Sequence, residues 1–257
     1  MNRIRLGILF FIFLVLLFII IKFGTPIKNS SPAKPKPISI TLQKKTASNI
    51  NFSKEKIIYD VKIGKINLGI AEFTYLGQSL NKGRLLNEML MKTRLKKFTD
   101  TDRIFSDPIT LLPVIVEREI SKLFSREKIT EEYDQKNFTV TINKTVGLET
   151  ETTVIQKDGP IHNVILLPHY VRKNKDLNIG KTITVNLPTR KLELKLTSIE
   201  NIKTPAGLIQ AYHFESTPKQ IEIWVSADSR KIPLKIESSG LLGYTMLMKK
   251  YIADFTN

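Results

Sequence analysis

Cysteine is absent from this chain of 257 residues, and only one tryptophan and three histidines are present. The absence of cysteine excludes disulfides, thiolate metal ligands and anchoring through a lipid-modified cysteine. The fold must therefore be stabilised by a hydrophobic core, and a hydrophobic content of 42% is sufficient for one. The composition excludes a wholly disordered protein but does not identify a cellular compartment.

Catalytic and phosphate-binding motifs are also missing. Gly180-Lys181-Thr182 matches part of a phosphate-binding loop, but Lys175 stands where that loop requires its first glycine. Several Ser-x-x-Lys pairs occur without the Ser-Asp-Asn and Lys-Thr-Gly elements that accompany them in acyl-serine enzymes. We therefore predict a noncatalytic protein with no catalytic residues.

The residues that most often bind metals show no pattern of a metal site. No two of His162, His169 and His213 are spaced so that one predicted element would present both. The carboxylate pairs Glu117/Glu119 and Glu131/Glu132 fall in predicted strands, where we expect them to face solvent. The sequence predicts neither a metal nor a cofactor.

The charge of the chain is strongly one-sided, with a formal net charge of +16. Such an excess is compatible with a lysine-rich solvated surface, with a nearby anionic lipid surface, or with nucleic acid. In Lys191-Leu192-Glu193-Leu194-Lys195-Leu196 the charged residues alternate with leucine, which places both signs on one solvated strand face. Because no arginine-rich stripe with interleaved aromatics and no known motif is present, we predict no nucleic-acid partner.

The first 23 residues predict a membrane anchor. Leu6 to Ile21 is an apolar run interrupted only by Gly7. A helix from Ile4 to Phe23 would be about 30 Å long, which matches the hydrocarbon core of a bilayer. A cleaved signal peptide is the alternative, but no A-x-A-like site follows the run, so we favour an uncleaved single-pass helix.

Residues 24–49 predict a linker, and residues 50–257 predict one folded domain. Pro26, Pro32, Pro35 and Pro37 favour an extended, semi-rigid tether. A short positive tail followed by an apolar run is typical of exported chains. The sequence thus predicts a single-pass protein of the bacterial inner membrane with its C-terminal domain in the periplasm.

Period-two alternation dominates the predicted domain. Six clear runs of alternating apolar residues include 57–63, 183–187 and 221–225, and about eleven strands can be identified by this rule. Gly- and Pro-containing turns separate the runs, and one apolar face per strand indicates antiparallel sheet. We predict a mainly β fold: an antiparallel meander that forms a barrel or half barrel with one short helix, preceded by the transmembrane helix.

Three segments depart from plain alternation. Arg84 to Lys97 contains an apolar pattern that would also suit a helix. Asn163 to Lys173 predicts one or two helical turns, since Pro168 interrupts it. At Gly69 the apolar positions change phase, which predicts a β-bulge or bend.

Four residues are candidates for ligand binding. Trp224 lies on the opposite strand face from its apolar neighbours, where it could form the lip of a groove or pack beneath a loop. Tyr244, Met246 and Met248 belong to the last predicted strand, where they could line a pliable apolar cavity or form ordinary core.

Several segments resemble bacterial exported proteins of the domain of unknown function 3108 family. The most specific is Glu222-Ile223-Trp224-Val225-Ser226-Ala227-Asp228-Ser229-Arg230-Lys231-Ile232-Pro233-Leu234-Lys235. Weaker matches are Ile58-Tyr59-Asp60-Val61, Leu68-Gly69-Ile70-Ala71-Glu72-Phe73, Ser106-Asp107-Pro108-Ile109-Thr110-Leu111-Leu112-Pro113, Tyr170-Val171-Arg172, Gly180-Lys181 and Thr204-Pro205-Ala206-Gly207. The resemblance implies a curved antiparallel sheet like that of envelope lipoprotein carriers, and it implies no catalytic residue.

Three functions remain open at this point. The first is a noncatalytic, membrane-anchored envelope protein that binds a lipid or acyl chain in a curved sheet. The second is a structural or assembly protein that binds another envelope protein. The third and least favoured is an enzyme acting on envelope polymers, which has no motif to support it.

Overall fold

A computed structural model describes residues 54–240 and 243–254, and these form fourteen strands and one short helix. The strands are β1 (Glu55–Ile63), β2 (Ile66–Asn81), β3 (Arg84–Leu95), β4 (Phe98–Ser106), β5 (Pro113–Ser121), β6 (Arg126–Asp134), β7 (Thr139–Val146), β8 (Glu149–Gln156), β9 (Thr182–Asn186), β10 (Lys191–Thr204), β11 (Gly207–Thr217), β12 (Ile221–Ser226), β13 (Pro233–Ser238) and β14 (Thr245–Ala253). The helix α1 (Leu167–Arg172) follows a 3₁₀ turn at Val164–Leu166.

The strands form one sheet in the order β8-β7-β6-β5-β4-β3-β2-β1-β14-β13-β12-β11-β10-β9, and all neighbours are antiparallel. Strands that are consecutive in sequence pair with each other, except that β8 does not pair with β9. These two strands are the edges of the sheet, and β1 pairs with β14 in its middle. This architecture confirms the predicted antiparallel meander with one short helix. The predicted anchor at 1–23 and the linker at 24–49 lie outside the described residues. Among the described residues, no helix has the length and apolar character needed to cross a membrane.

The segment Arg84 to Lys97 contains strand β3, which ends at Leu95, and is not a helix. It pairs with β2 on one side and with β4 on the other. Its alternation is weak because both faces bury apolar side chains: Met89 lies on the inner face, whereas Leu86 packs with Phe105 and Ile115 on the outer face. A strand that is buried on both faces has the near-continuous apolar pattern that a buried helix also has.

The chain after β8 shows that the sheet curls. Gln135, just after β6, exchanges hydrogen bonds with the backbone of Ile161, with N–O distances of 2.8 and 3.0 Å. The next residue, His162, donates its backbone N–H to the carbonyl oxygen of Asn186 at the end of β9. In a flat sheet, β6 and β9 would lie about 50 Å apart at the usual strand spacing. Two consecutive residues can bridge them only because the meander curves back on itself.

Helix α1 lies against the inner face of this curved sheet, and all six of its residues are buried. Asn163 caps the preceding turn by accepting a hydrogen bond from the backbone N–H of Ile165 at 2.9 Å. The His169 ring stacks on Phe73 of β2 with 4.2 Å between ring centroids. The predicted short helix at Asn163 to Lys173 is thus confirmed, and it fills part of the space that the sheet encloses.

Gly69 marks the bulge that the phase change predicted. The register between β1 and β2 shifts between Val61 and Lys62, opposite this glycine. A Cβ atom on Gly69 would lie 2.0 Å from the carbonyl oxygen of Arg94 on β3, so no larger residue fits there without backbone movement. The bulge lets β2 bend while it remains paired on both sides.

Candidate functional site

The inner face of the sheet is apolar over β9 to β14 and on into β1 and β2. Adjacent strands align their buried side chains, as in the register pairs Leu196–Phe214, Phe214–Ile223 and Ile223–Ile236. The buried residues of this apolar part of the face are Ile57, Tyr59, Val61, Ala71, Phe73, Val185, Leu192, Leu194, Leu196, Phe214, Ile223, Val225, Leu234, Ile236, Met246 and Met248. These side chains are almost completely buried, so the hydrocarbon part of a ligand would reach them only if the present packing opened.

The inner face of β4 and β5 contains a buried ionic group. The Arg118 guanidinium donates to both carboxylate oxygens of Asp100, at 2.8 and 2.5 Å, and its Nε lies 3.7 Å from Oδ1 of Asp102. All three residues are less than 5% exposed. Burial alone would lower the pKa of Arg118, but its hydrogen bonds to Asp100 and the charge of Asp102 raise it, so it stays charged.

Strand β6 extends this ionic group with two buried glutamates. Glu131 accepts a 2.5 Å hydrogen bond from the Tyr133 hydroxyl, and burial, together with the charge of Glu131, raises the pKa of Tyr133 well above its ordinary value. Glu127 binds Lys122 and lies 3.5 Å from the Lys144 ammonium. Burial works against ionisation of Glu127, but the hydrogen bond and charge of Lys122 hold its pKa below the usual range.

The expectation that all four strand glutamates face solvent is therefore wrong for Glu131. Glu117 and Glu132 are exposed and Glu119 is half-buried, but Glu131 is 4% exposed. The error arises because β6 alternates charged residues on both faces, and a carboxylate in such a strand gives no sign of which face it occupies.

The short helix is held to the sheet by a buried ion pair. Arg172 forms a bidentate pair with Glu55 at the start of β1, and its Nε donates to the carbonyl oxygen of Arg230 at 3.2 Å. The Tyr251 hydroxyl on β14 also donates to Glu55 at 3.1 Å. Burial lowers the pKa of His169 well below its ordinary value, and the nearby charge of Arg172 lowers it further, so this imidazole is neutral.

The four candidate ligand residues do not form one site. Met246 and Met248 are buried on the inner face of β14. Tyr244 precedes β14 and is half-buried, and burial raises its pKa to about 12. Trp224 lies on the outer face of β12, between the His213 ring at 4.1 Å and the Lys235 ammonium at 4.1 Å from its ring centroid. Its indole N–H donates to Glu200 at 2.5 Å. Trp224 is thus packed between two side chains and hydrogen-bonded on the outer face.

Next to Trp224 lie the side chains that could hold a cation. His213 and Glu215 on β11 and Glu222 on β12 bring one ligand atom each within 4.8 Å of one another. In the described residues, however, Glu222 already has two partners: His213 lies 3.0 Å from one carboxylate oxygen and Lys219 lies 3.2 Å from the other. Burial would raise the pKa of Glu222, but these contacts lower it. A metal at this cluster would have to displace Lys219 from Glu222.

Sequence reasoning missed both the inner ionic group and the outer cluster. The signal for the first was Asp100-Thr101-Asp102, which places two carboxylates on one strand face. The signal for the second was His213-Phe214-Glu215, followed after a turn by Glu222. Neither pattern reveals the partner strand, because pairing depends on the register between strands.

Residues 58–249 match the family described as Protein of unknown function (DUF3108). The chain belongs to this family. The match covers most of the folded domain. Two segments that carried the resemblance contact the end of helix α1: Arg172 donates to the carbonyl oxygen of Arg230, and Lys173, just after the helix, donates to that of Ile109. The DUF3108 chain matches no curated protein.

One solved structure supports the barrel-like fold of the DUF3108 chain. A β-barrel-like protein of the domain of unknown function DUF1849 from Brucella abortus has a TM-score of 0.51 at 7% identity, over 79% of this chain and 98% of that one. A putative exported protein with a YmcC-like fold from Bacteroides fragilis covers similar shares, 79% and 97%, at 10% identity and a TM-score of 0.29. The first likeness establishes a shared architecture and nothing about activity.

Proposed function

We propose that this DUF3108 chain is a noncatalytic, membrane-anchored envelope protein that binds an amphipathic ligand, such as a lipid, on the inner face of its curved sheet. One observation carries the proposal: a single enclosed face combines a wide apolar area with a buried ionic group. The apolar area over β9 to β14 would contact the hydrocarbon part. The group around Arg118 would face the polar part.

The energetics of the ionic group support a binding role. Desolvating buried charges can cost more than their mutual attraction regains, and well-packed apolar residues in their place are often at least as stable. Perturbed, buried ionisable groups in an enclosed site are candidates for function. Arg118 is bound to Asp100 and Glu131 to Tyr133, so the polar end of a ligand would exchange hydrogen bonds with these partners.

A half-buried methionine gives a direct test. Met91 lies on the inner face of β3, in register with Phe73 and Asp102, whereas the next residue, Leu90, lies on the outer face. Native mass spectrometry and lipid extraction of the purified full chain should detect a bound amphiphile. Met91→Trp should reduce its occupancy at least fivefold by filling the inner space, and Leu90→Trp should leave it unchanged.

Two controls make the result interpretable. Thermal unfolding must show that both tryptophan variants remain folded. Lys144→Met, which removes a half-buried inner-face cation beside Glu127, should change which headgroups are retained while preserving acyl-chain binding. A wild-type protein that emerges without any amphiphile from several membrane extractions would refute the proposed function.

A second candidate is an assembly protein that binds another envelope protein by extending the sheet. The observation in its favour is that β8 is an edge strand and nearly all of its residues are exposed. Site-specific crosslinking in cells from Thr152 on β8 should then give one protein adduct. If adduct formation is specific and no lipid is bound, this second function replaces the first.

A further inference from the structure

Four hairpin tips lie side by side at one end of the sheet. They connect β1 to β2, β3 to β4, β5 to β6 and β7 to β8, and these strands are consecutive in the sheet. Since each hairpin is two strands wide, neighbouring tips are about 10 Å apart and the row is about 30 Å long. We call residues 62–67, 94–97, 121–126 and 146–149 the tip row.

Large apolar side chains in the tip row are exposed to solvent. Phe124 is 93% exposed, Leu148 is fully exposed, and Ile66 is 66% exposed. Leu123 and Val146 add further apolar surface. Each of these residues lies at or beside a turn. A polar residue would form the same turn without exposing an apolar side chain to water.

The tip row is also strongly basic. It contains seven Lys or Arg residues and one acid, Glu149. Arg94, Lys122 and Arg126 are bound to acids further along the strands. The excess positive charge is carried above all by the remaining four bases, which are Lys62, Lys65, Lys96 and Lys97.

We propose that the tip row docks on an anionic lipid bilayer. Apolar tips flanked by lysines are complementary to such a surface, because the apolar side chains enter the interface while the ammonium groups bind headgroups. Separate tips about 10 Å apart can each insert between the lipids of a fluid bilayer. A protein partner would instead require a continuous patch of about 800 Å² on each side. The tip row is distinct from the start of β1, which lies at the opposite end of the sheet.

Spin labels can test the docking because the chain has no cysteine. Ser125→Cys places a label in the tip row, and Lys136→Cys places one in the turn at the other end of the same strand, β6. Both labels would be attached to the full chain in vesicles of phosphatidylcholine, with or without phosphatidylglycerol. Collision with oxygen and with a water-soluble nickel complex reports the depth of each label.

The Ser125 label should be shielded from nickel in vesicles that contain phosphatidylglycerol, and the Lys136 label should stay in water. Shielding should fall about tenfold or more when Phe124 and Leu148 are both replaced by serine, because burial of each apolar side chain favours the docked state. Leu80→Ser, at an exposed tip of the opposite end, should have no effect.

Three results would overturn the proposal. The first is a Ser125 label that remains in water on anionic vesicles. The second is equal shielding without phosphatidylglycerol, which would remove the role of the lysines. The third is shielding that requires another envelope protein, which would identify the tip row as a protein interface. None of these results depends on whether the inner face binds a ligand, so the two proposals fail separately.

Discussion

Removing Arg172 should destabilise the domain because it leaves the carboxylate of Glu55 buried without its cation. Arg172→Met removes both hydrogen bonds to Glu55 and the bond to the carbonyl oxygen of Arg230. The two side chains are only 7% and 3% exposed, so water cannot replace the lost partner without opening the site. Breaking one side of a buried ion pair costs about 3–5 kcal/mol. For a domain of this size that corresponds to about 6–20 °C in Tm.

The assay is urea unfolding of the full chain in detergent, with a double variant and an exposed control. Glu55→Gln combined with Arg172→Met should recover about half of the loss, because no charge is then left unpaired. Arg94→Met breaks the exposed pair with Glu72 and should cost less than about 1 kcal/mol. The reasoning is refuted if Arg172→Met costs no more than Arg94→Met, or if the double variant is as unstable as the two single losses added together.

Three further predictions concern the core, the bulge and pH. Phe214→Ala should cost about 3–5 kcal/mol in urea unfolding, because the side chain is fully buried among apolar neighbours; a loss below 1 kcal/mol would mean that the inner face is loosely packed there. Gly69→Ala should destabilise by more than about 2 kcal/mol, because its Cβ would meet the Arg94 carbonyl oxygen. Gly83→Ala, with open space around a φ of +76°, should cost about 1 kcal/mol from backbone strain alone. Stability should fall as the pH drops below about 6.5, because the lowered pKa of His169 means that the unfolded chain takes up that proton first. His169→Phe should flatten the fall between pH 6.5 and 5, and an unchanged slope would show that another group causes it.

The sheet was predictable from the sequence because most strands bury only one face. The alternation in 183–187 and 221–225 identifies β9 and β12 and places their apolar residues on the inner face. Alternation is weakest in the strands with charged inner positions or with two buried faces. In β4, Asp100 and Asp102 occupy inner positions that a pattern search assigns to solvent.

The candidate site was much less predictable because it depends on contacts between distant segments. Arg172 reaches Glu55 across 117 residues of sequence, and the Tyr59 hydroxyl reaches the carbonyl oxygen of Pro233 across 174. Such contacts are set by how far the sheet curls, which local patterns do not encode. The placement of Trp224 on the opposite face from its apolar neighbours was predictable, because that property follows from strand periodicity alone.

The edge strands have consequences for how copies of this protein meet at high concentration. At β9 the hydrogen-bonding edge is occupied in part by His162, which contacts Asn186 through both its backbone and its ring. At β8, Glu149 and Glu151 line the edge, so two molecules approaching there would bring acids together and repel each other. We expect that removing those two charges would favour self-association through a continuous sheet, because the acids would no longer repel each other.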